Sequence, residues 1–180
     1  GILVNEAGQR FTNEDAYPGR VAVHCTRQVG DKIYLLVDDE IFEQPTELSR
    51  IQIAVVGESW AEIERELGMV EGALVNTLSV HNQHAAKGED PLFHKAPEWV
   101  VPLRPPFGAL DCRSESSIYA AFTLGGLRTS PFGEVLTPDG STIPGLYAAG
   151  RTTACLAAPG YSSGLSIGDG TFFGRRAGLR

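Results

Sequence analysis

The alternation of apolar and polar positions predicts short strands at the start of the chain. Residues 2–5 and 10–13 flank a turn-forming stretch and predict a first hairpin. Residues 21–25 and 33–37 alternate on either side of a turn at 29–32, which predicts a second hairpin with His24 in one of its strands. We therefore expect the chain to open with two antiparallel hairpins.

Two helices are predicted next. The residues SWAE at 59–62 form a capping box, and Gly68 supplies a left-handed residue that ends the first helix. The second helix would end at Gly88. The positions that share its apolar face are Val70, Leu74, Leu78 and Ala85. This segment predicts a helical hairpin.

The pattern changes in the second half of the chain. Five prolines between residues 89 and 106 forbid a regular helix and predict an irregular connector. The residues PDG at 138–140 predict a turn between short strands at 134–136 and 141–142, and residues 146–149 predict a buried strand. A last helix is expected over residues 165–179. We predict an α+β fold with two domains, residues 1–113 and 114–180.

Glycine is unusually frequent in the last predicted helix. Gly170, Gly174 and Gly178 lie four residues apart on one stripe, and each glycine inside a helix costs about 1 kcal/mol relative to alanine. We expect the close approach of another backbone to compensate. The residues PGYSSG at 159–164 precede this helix, and its unpaired N–H groups favour a partial negative charge. A flavin ring edge or a phosphate would suit that position equally, and Tyr161 and Ser163 could instead cap the helix.

Composition excludes several classes of protein. A net charge of −7 argues against nucleic-acid binding, and no apolar run approaches the ~20 residues that cross a membrane. Three scattered cysteines fit a reducing cytoplasm. The chain begins without Met inside an apolar run, so we expect a fragment.

No metal site is predicted. His81 and His84 lack a third ligand, which favours solvated histidines, and the acidic residues at 38–40 fit a solvated strand end better than a cation site.

Five motifs, in order, carry a family resemblance: GQRFTNE at 8–14, TLGGL at 123–127, IPGLYAAG at 143–150, GLS at 164–166 and FGRRAG at 173–178. Together they resemble the fumarate reductase and 3-ketosteroid dehydrogenase flavoproteins. The resemblance implies FAD as cofactor, a cap (catalytic) domain over residues 1–113, and the C-terminal strands and helix of a Rossmann-like FAD-binding domain over residues 114–180. The family's dinucleotide motif lies upstream of these motifs. The glycines at 168–174 do not match it, so the other half of the FAD site is expected outside this chain.

The resemblance also assigns residues to the cofactor. Arg151 stands where many relatives have a Glu that contacts the ribityl chain, and an Arg could instead meet the pyrophosphate. The residues expected to contact FAD are Gly125, Gly126, Gly150, Arg151, Gly164, Leu165 and Ser166.

Two departures from the fumarate reductase pattern favour an uncharged substrate. Those enzymes carry a His before the T-x-G-G motif and an Arg before the last helix, as dicarboxylates require cationic partners. Here residues 121–122 are Ala-Phe and residues 161–163 are Tyr-Ser-Ser. We therefore expect a hydrophobic ketone as substrate.

Tyr161, Ser163 and Tyr17 resemble the catalytic residues of the steroid-dehydrogenating branch of the family, closest to the 3-ketosteroid Δ4-(5α)-dehydrogenases. In that interpretation Tyr161 holds the carbonyl oxygen, Ser163 accepts the α-proton, and Tyr17 relays it. The alternatives are a fumarate reductase-type ene-reductase with another acceptor, and an inactive binding or structural fragment.

Overall fold

The computed structural model describes residues 1–43, 45, 47, 50–113, 115, 122–154, 156 and 160–180. The chain divides into two compact units, residues 1–120 and 121–180. The sequence placed a domain boundary after residue 113, and the assignment of the two parts to a cap and to a flavin-binding domain stays a prediction.

The first unit is built on an antiparallel sheet of four strands in the order β1-β2-β4-β3. The strands are β1 (Ile2–Asn5), β2 (Ile33–Asp38), β3 (Gln52–Gly57) and β4 (Phe107–Asp111). Its helices are α1 (Pro18–Cys25), α2 (Trp60–Glu66) and α3 (Ala73–Ala85), with a 3-10 turn at Pro97–Trp99. Strand β4, late in the sequence, therefore lies between two earlier strands.

Helices α2 and α3 contribute to the core of this unit. Trp60 stacks on Phe107 of β4, with ring centroids 3.7 Å apart. The buried cluster joins the two helices to the sheet and consists of Ile2, Val4, Tyr34, Leu36, Ile63, Leu74, Leu78, Leu103, Phe107 and Ala109. Removal of this apolar surface from water stabilises the unit.

The cap predicted for α2 is present. The Ser59 hydroxyl accepts a hydrogen bond from the Glu62 amide at 3.2 Å, and the Glu62 carboxylate accepts one from the Glu58 amide at 2.9 Å. The second bond uses the amide before the cap residue, one position earlier than in a standard capping box.

The predicted strand at residues 21–25 is wrong, because α1 covers this segment and contains His24. Pro18 supplies the physical reason: its fixed φ and missing N–H favour the first turn of a helix. The return strand at 10–13 is reduced to one bridge, between Val4 and Arg10. Strand β2 is confirmed.

Strands β3 and β4 were absent from the sequence interpretation. The described residues pair β3 with β4 and β4 with β2, from Gly57 with Phe107 to Tyr34 with Asp111, which are 50 and 77 positions apart. Local alternation reports which face a strand buries, but it does not report such distant partners.

The second unit contains a two-stranded sheet and a helix. Strands β5 (Glu134–Leu136) and β6 (Thr142–Tyr147) pair across the predicted turn at 138–140, and α4 spans Leu165–Gly178. The strand at 146–149 was expected to be buried, which is wrong: Leu146 is 44% and Tyr147 38% exposed. In a two-stranded sheet, β6 has only one neighbouring strand among the described residues to cover it.

Among the helices of the described residues, none is long and apolar enough to cross a membrane.

Candidate functional site

A short 3-10 turn at Gly150–Thr152 forms the centre of the candidate site. Gly150 is buried with φ +72°, a conformation that favours glycine. Its N–H donates to Asp169 Oδ1 at 2.6 Å, and its carbonyl accepts from the Thr153 hydroxyl at 2.8 Å and the Thr153 amide at 3.0 Å. Both polar groups of Gly150 are therefore held.

Helix α4 packs closely on this turn. A Cβ added to Gly150 would lie 3.3 Å from the Gly170 Cα, and one added to Gly174 would lie 3.9 Å from the Ala149 Cβ. The prediction that the glycine stripe admits a second backbone is confirmed at Gly170, whereas the contact at Gly174 is with a side-chain atom. It is wrong for Gly178, where an added Cβ meets nothing within 4 Å because the turn lies nearer the start of the helix.

The TLGG loop is joined to the same turn by backbone hydrogen bonds. The Leu127 amide donates to the Thr152 carbonyl at 2.8 Å, and the Ala154 amide donates to the Leu127 carbonyl at 3.0 Å. A Cβ on Gly126 would overlap the Thr152 carbonyl oxygen, whereas one on Gly125 would meet open space. The loop can follow this path only because residue 126 has no side chain.

A crevice opens between the loop, the turn and the first residues of α4. Its lining residues are Thr123, Leu124, Gly150, Arg151, Thr153, Leu165, Ser166 and Asp169. Four of the seven predicted cofactor residues, those at 150, 151, 165 and 166, line this crevice. Of the others, Gly126 packs on the turn, Gly125 lies in the loop, and Gly164 is the left-handed N-cap of α4 with φ +87°.

An aromatic pair and a guanidinium lie together in this unit. Phe122 and Tyr161 make an edge contact with ring centroids 4.9 Å apart. The Arg151 guanidinium lies 3.6 Å from the Phe122 centroid and 5.6 Å from that of Tyr161. The structure thus brings together the two positions where the sequence departs from the fumarate reductase pattern and adds Arg151 to them.

The predicted catalytic residues are distributed over both units. Tyr161 is partly exposed and Ser163 is exposed, just before α4. The alternative in which either caps the helix is wrong, because Gly164 is the N-cap and no side chain makes a cap hydrogen bond there. Tyr17 belongs to the first unit, at the start of α1, and its relay with Ser163 stays a prediction.

Sequence interpretation missed a buried ion cluster within the GQRFTNE motif. Arg10 donates to Glu14 through Nε and Nη2 at 2.9 and 2.8 Å, and to Asp90 through Nη1 and Nη2 at 2.9 and 2.7 Å. Lys95 Nζ lies 3.5 Å from the Glu14 carboxylate. The opposite charges of Arg10 and Glu14, four positions apart, could have indicated that these two residues pair. Nothing local indicates Asp90, which is 80 positions away from Arg10.

This cluster changes the acidity of its carboxyl groups. Burial alone would raise the pKa of Glu14, but hydrogen bonds and positive charge from Arg10 outweigh it and lower that pKa. The pKa of Asp90 is lowered by the same balance, in which Arg10 also outweighs burial. Both groups are therefore held as carboxylates.

Histidine and acidic candidates for a metal site have other roles. His81 was expected to be solvated, which is wrong: it is buried, its Nε2 lies 3.1 Å from the Val101 carbonyl oxygen, and burial lowers its pKa. Asp38 is buried and accepts from the Ile41 and Arg104 amides. Among the described residues, no group of three or more His, Cys, Asp or Glu is arranged to hold a metal ion.

A family model described as FAD binding domain matches residues 1–167. The chain belongs to the FAD binding domain family. The predicted cofactor, FAD, is confirmed by this membership. The residues that line the crevice have the chemistry that such a group requires, because glycine backbone, an arginine and the uncapped first turn of α4 are among them.

Known structures and proteins extend the assignment within this family. The chain is 44% identical, with a TM-score of 0.86 over 99% of its length, to 3-ketosteroid-Δ4-(5α)-dehydrogenase from Rhodococcus jostii RHA1 in complex with 4-androstene-3,17-dione. It is 28% identical over 98% of its length to NADH:acrylate oxidoreductase of Vibrio harveyi. It is 27% identical over 98% to fumarate reductase (cytochrome) of Shewanella frigidimarina. The predicted resemblance to both branches is confirmed.

The chain spans a minor share of each of these proteins. It covers 38% of the Rhodococcus enzyme, 18% of the Vibrio enzyme and 31% of the Shewanella enzyme. What the whole protein does is therefore argued separately below.

Proposed function

We propose that the chain is part of an FAD-dependent oxidoreductase that introduces or reduces a C=C bond next to a ketone in a hydrophobic ring substrate, a 3-ketosteroid. One observation carries this proposal: Phe122 and Tyr161 form an aromatic pair at the two positions where the resemblance to fumarate reductases implies a His and an Arg. The 44% identity to a ketosteroid dehydrogenase supports the same substrate class.

We assign the flavin to the side of the crevice lined by the Gly150–Thr152 turn and the start of α4. Arg151, Leu165 and Ser166 would hold it, with Gly126 keeping the TLGG loop against the turn. When bound, FAD supplies the acceptor of the hydride that leaves the substrate. In this proposal residues 114–180 belong to a Rossmann-like FAD-binding domain that the missing half completes. The enzyme is proposed to be cytoplasmic.

Tyr161 is proposed to act on the ketone. Loss of the α-proton builds negative charge on the carbonyl oxygen, and a phenol that donates a hydrogen bond to that oxygen stabilises the developing charge. Ser163, two residues along, would accept the proton and pass it to Tyr17 of the first unit. The relay to Tyr17 is proposed because a serine that acts alone is a poor base for removing a proton.

The decisive experiment is Tyr161→Phe in the full-length enzyme. The change retains the ring that contacts Phe122 and removes only the hydroxyl, so flavin reduction by a saturated 3-ketosteroid should slow by about 10²-fold. Stopped-flow measurement of flavin bleaching gives this rate. Tyr147→Phe, which removes the hydroxyl of an exposed tyrosine of β6, is the matched control and should react like the natural enzyme. Equal rates in the Tyr161→Phe variant and the natural enzyme would refute the assignment.

Arg151 favours a second candidate, a fumarate reductase-type ene-reductase with another acceptor. Its guanidinium lines the crevice, and among the described residues no carboxylate lies within ion-pair distance of it. A substrate carboxylate would satisfy that charge. Two results together would establish this candidate instead. The natural enzyme would turn over fumarate or acrylate but not 3-ketosteroids, and the Arg151→Met variant would lose that turnover.

A further inference from the structure

Asp169 is a buried carboxylate that neither the sequence motifs nor the proposed reaction uses. It lies inside the glycine-rich helix α4, is 5% exposed, and lines the crevice. Its Oδ1 accepts the Gly150 N–H at 2.6 Å.

The consequences of this bond extend along the turn. Gly150 is followed directly by Arg151, whose guanidinium lies on Phe122 and close to Tyr161. Thr152, the last residue of the turn, accepts from the Leu127 amide of the TLGG loop. One carboxylate on α4 therefore fixes the start of a segment that reaches both the aromatic pair and the loop.

We propose that Asp169 is a positioning residue for flavin binding: by holding the Gly150 N–H, it sets the Gly150–Thr152 turn against α4 and places Arg151 at the crevice. The role depends on where the acceptor oxygen lies, and the negative charge is not required for it. This inference rests on the proposed flavin site, but it does not depend on the identity of the substrate.

Three substitutions in the full-length flavoprotein separate position from charge. Asp169→Asn keeps an oxygen in place and removes the charge, Asp169→Glu keeps the charge and displaces the oxygen by one methylene, and Asp169→Ala removes both. The dissociation constant for FAD and the visible circular dichroism of the bound flavin are measured without substrate. The Asn variant should stay within about threefold of the natural protein, whereas the Glu and Ala variants should bind FAD about tenfold more weakly or worse.

Asp38 of the first unit provides a matched control. It is equally buried and also accepts backbone amides, from Ile41 and Arg104. Asp38→Asn and Asp38→Ala should lower the thermal stability and leave FAD affinity and the flavin spectrum unchanged. Weaker FAD binding in these variants would show that general destabilisation, not the turn, explains an Asp169 effect.

Other outcomes would also overturn the proposal. Natural affinity in all three Asp169 variants would show that the turn does not need the bond. Natural affinity in the Glu variant with weak binding in the Asn variant would show that charge, not position, matters. If the Ala variant fails to fold, the comparison of Asn with Glu decides alone. A failure of the ketosteroid proposal would leave these FAD measurements unaffected, so the two ideas fail separately.

Discussion

At the residue scale, two of the described groups of paired charges differ sharply in their burial. Arg10, Glu14 and Asp90 pair with side chains that are only 4–9% exposed, whereas Arg65 and Glu66 pair at 71% and 54% exposure. Water screens the exposed pair, so its contribution to stability is small. The buried group is different, because removal of one member leaves charges without partners in a poorly solvated place.

We expect Arg10→Met to lower the free energy of unfolding by about 3–5 kcal/mol, because Asp90 would remain buried without its cation and Glu14 would keep only Lys95 as a positive neighbour. Arg65→Met makes the same chemical change at the exposed pair and should lie within about 1 kcal/mol of the natural protein. Urea unfolding followed by circular dichroism measures both. Equal stability of the two variants would contradict this account of the cluster.

The pH dependence of that difference has a definite sign. The folded pKa values of Glu14 and Asp90 lie below their ordinary values of 4.5 and 3.8. Their contribution is therefore fully present above pH 4.5 and is lost as the pH falls through the lowered values. The stability gap between the natural protein and Arg10→Met should accordingly narrow in acid.

At the element scale, helix α3 depends on a neighbouring helix for its cap. Its N-cap is Gly72, which has no side chain to offer. Glu64 of α2 supplies the acceptors instead and takes hydrogen bonds from the amides of Gly72, Leu74 and Val75 at 2.6, 2.7 and 3.2 Å. A carboxylate at this end also complements the helix dipole.

Replacement of this acceptor should weaken the helix pair. We expect Glu64→Leu to lower the free energy of unfolding by about 1–3 kcal/mol, because three first-turn amides lose their partner. Glu66→Leu, on the exposed side of the same helix, should change stability much less. Hydrogen exchange at Leu74 and Val75 gives a local measure, and unchanged protection in the Glu64 variant would disprove the capping role.

The helices show what local sequence can predict. Ser59 and Glu62 stand in a capping spacing, and the sequence therefore predicted the start of α2 correctly. The cap of α3 is carried by Glu64, which is eight positions before Gly72, and no standard motif describes it. The segment at 21–25 was mistaken for a strand because so short an alternation is compatible with the period of a strand and with that of a helix. Since α1 buries none of its residues, no apolar face identified it as a helix.

The candidate site was likewise predictable from the sequence only in part. The close approach at Gly170 was predictable because the spacing of the helix glycines leaves a trace in the sequence, whereas Gly126 and Gly150 were singled out by the family resemblance. The roles of Asp169 and Arg151 were not predictable in full, since each depends on a partner brought near by folding. A carboxylate in a helix looks solvated until the turn that it holds is known.

At the scale of the whole molecule, the chain covers between 18% and 38% of the relatives compared above. Its glycines at 168–174 do not form a dinucleotide fingerprint, because they lie within α4. The alternative of an inactive binding or structural fragment therefore applies only if these 180 residues exist as a separate polypeptide. It does not concern the enzyme of which we propose they are a part.

We expect the isolated 180-residue polypeptide to purify without colour, because it spans only 38% of the ketosteroid dehydrogenase that it resembles and, in our proposal, contributes only part of the flavin site. Absorbance spectroscopy after incubation with FAD and gel filtration measures retained flavin. The full-length protein, treated identically, should keep the visible flavin bands. Stoichiometric flavin on the isolated polypeptide would show that the missing half is dispensable for binding.

The contact between Gly150 and Gly170 also limits how the protein can diverge. Main chain meets main chain there, so a methyl group on Gly150 would require α4 to move by a few tenths of an ångström and would also be strained at a φ of +72°. Phe122 and Tyr161 meet through their rings instead, so ring size and polarity can vary at those two positions while the turn keeps its shape.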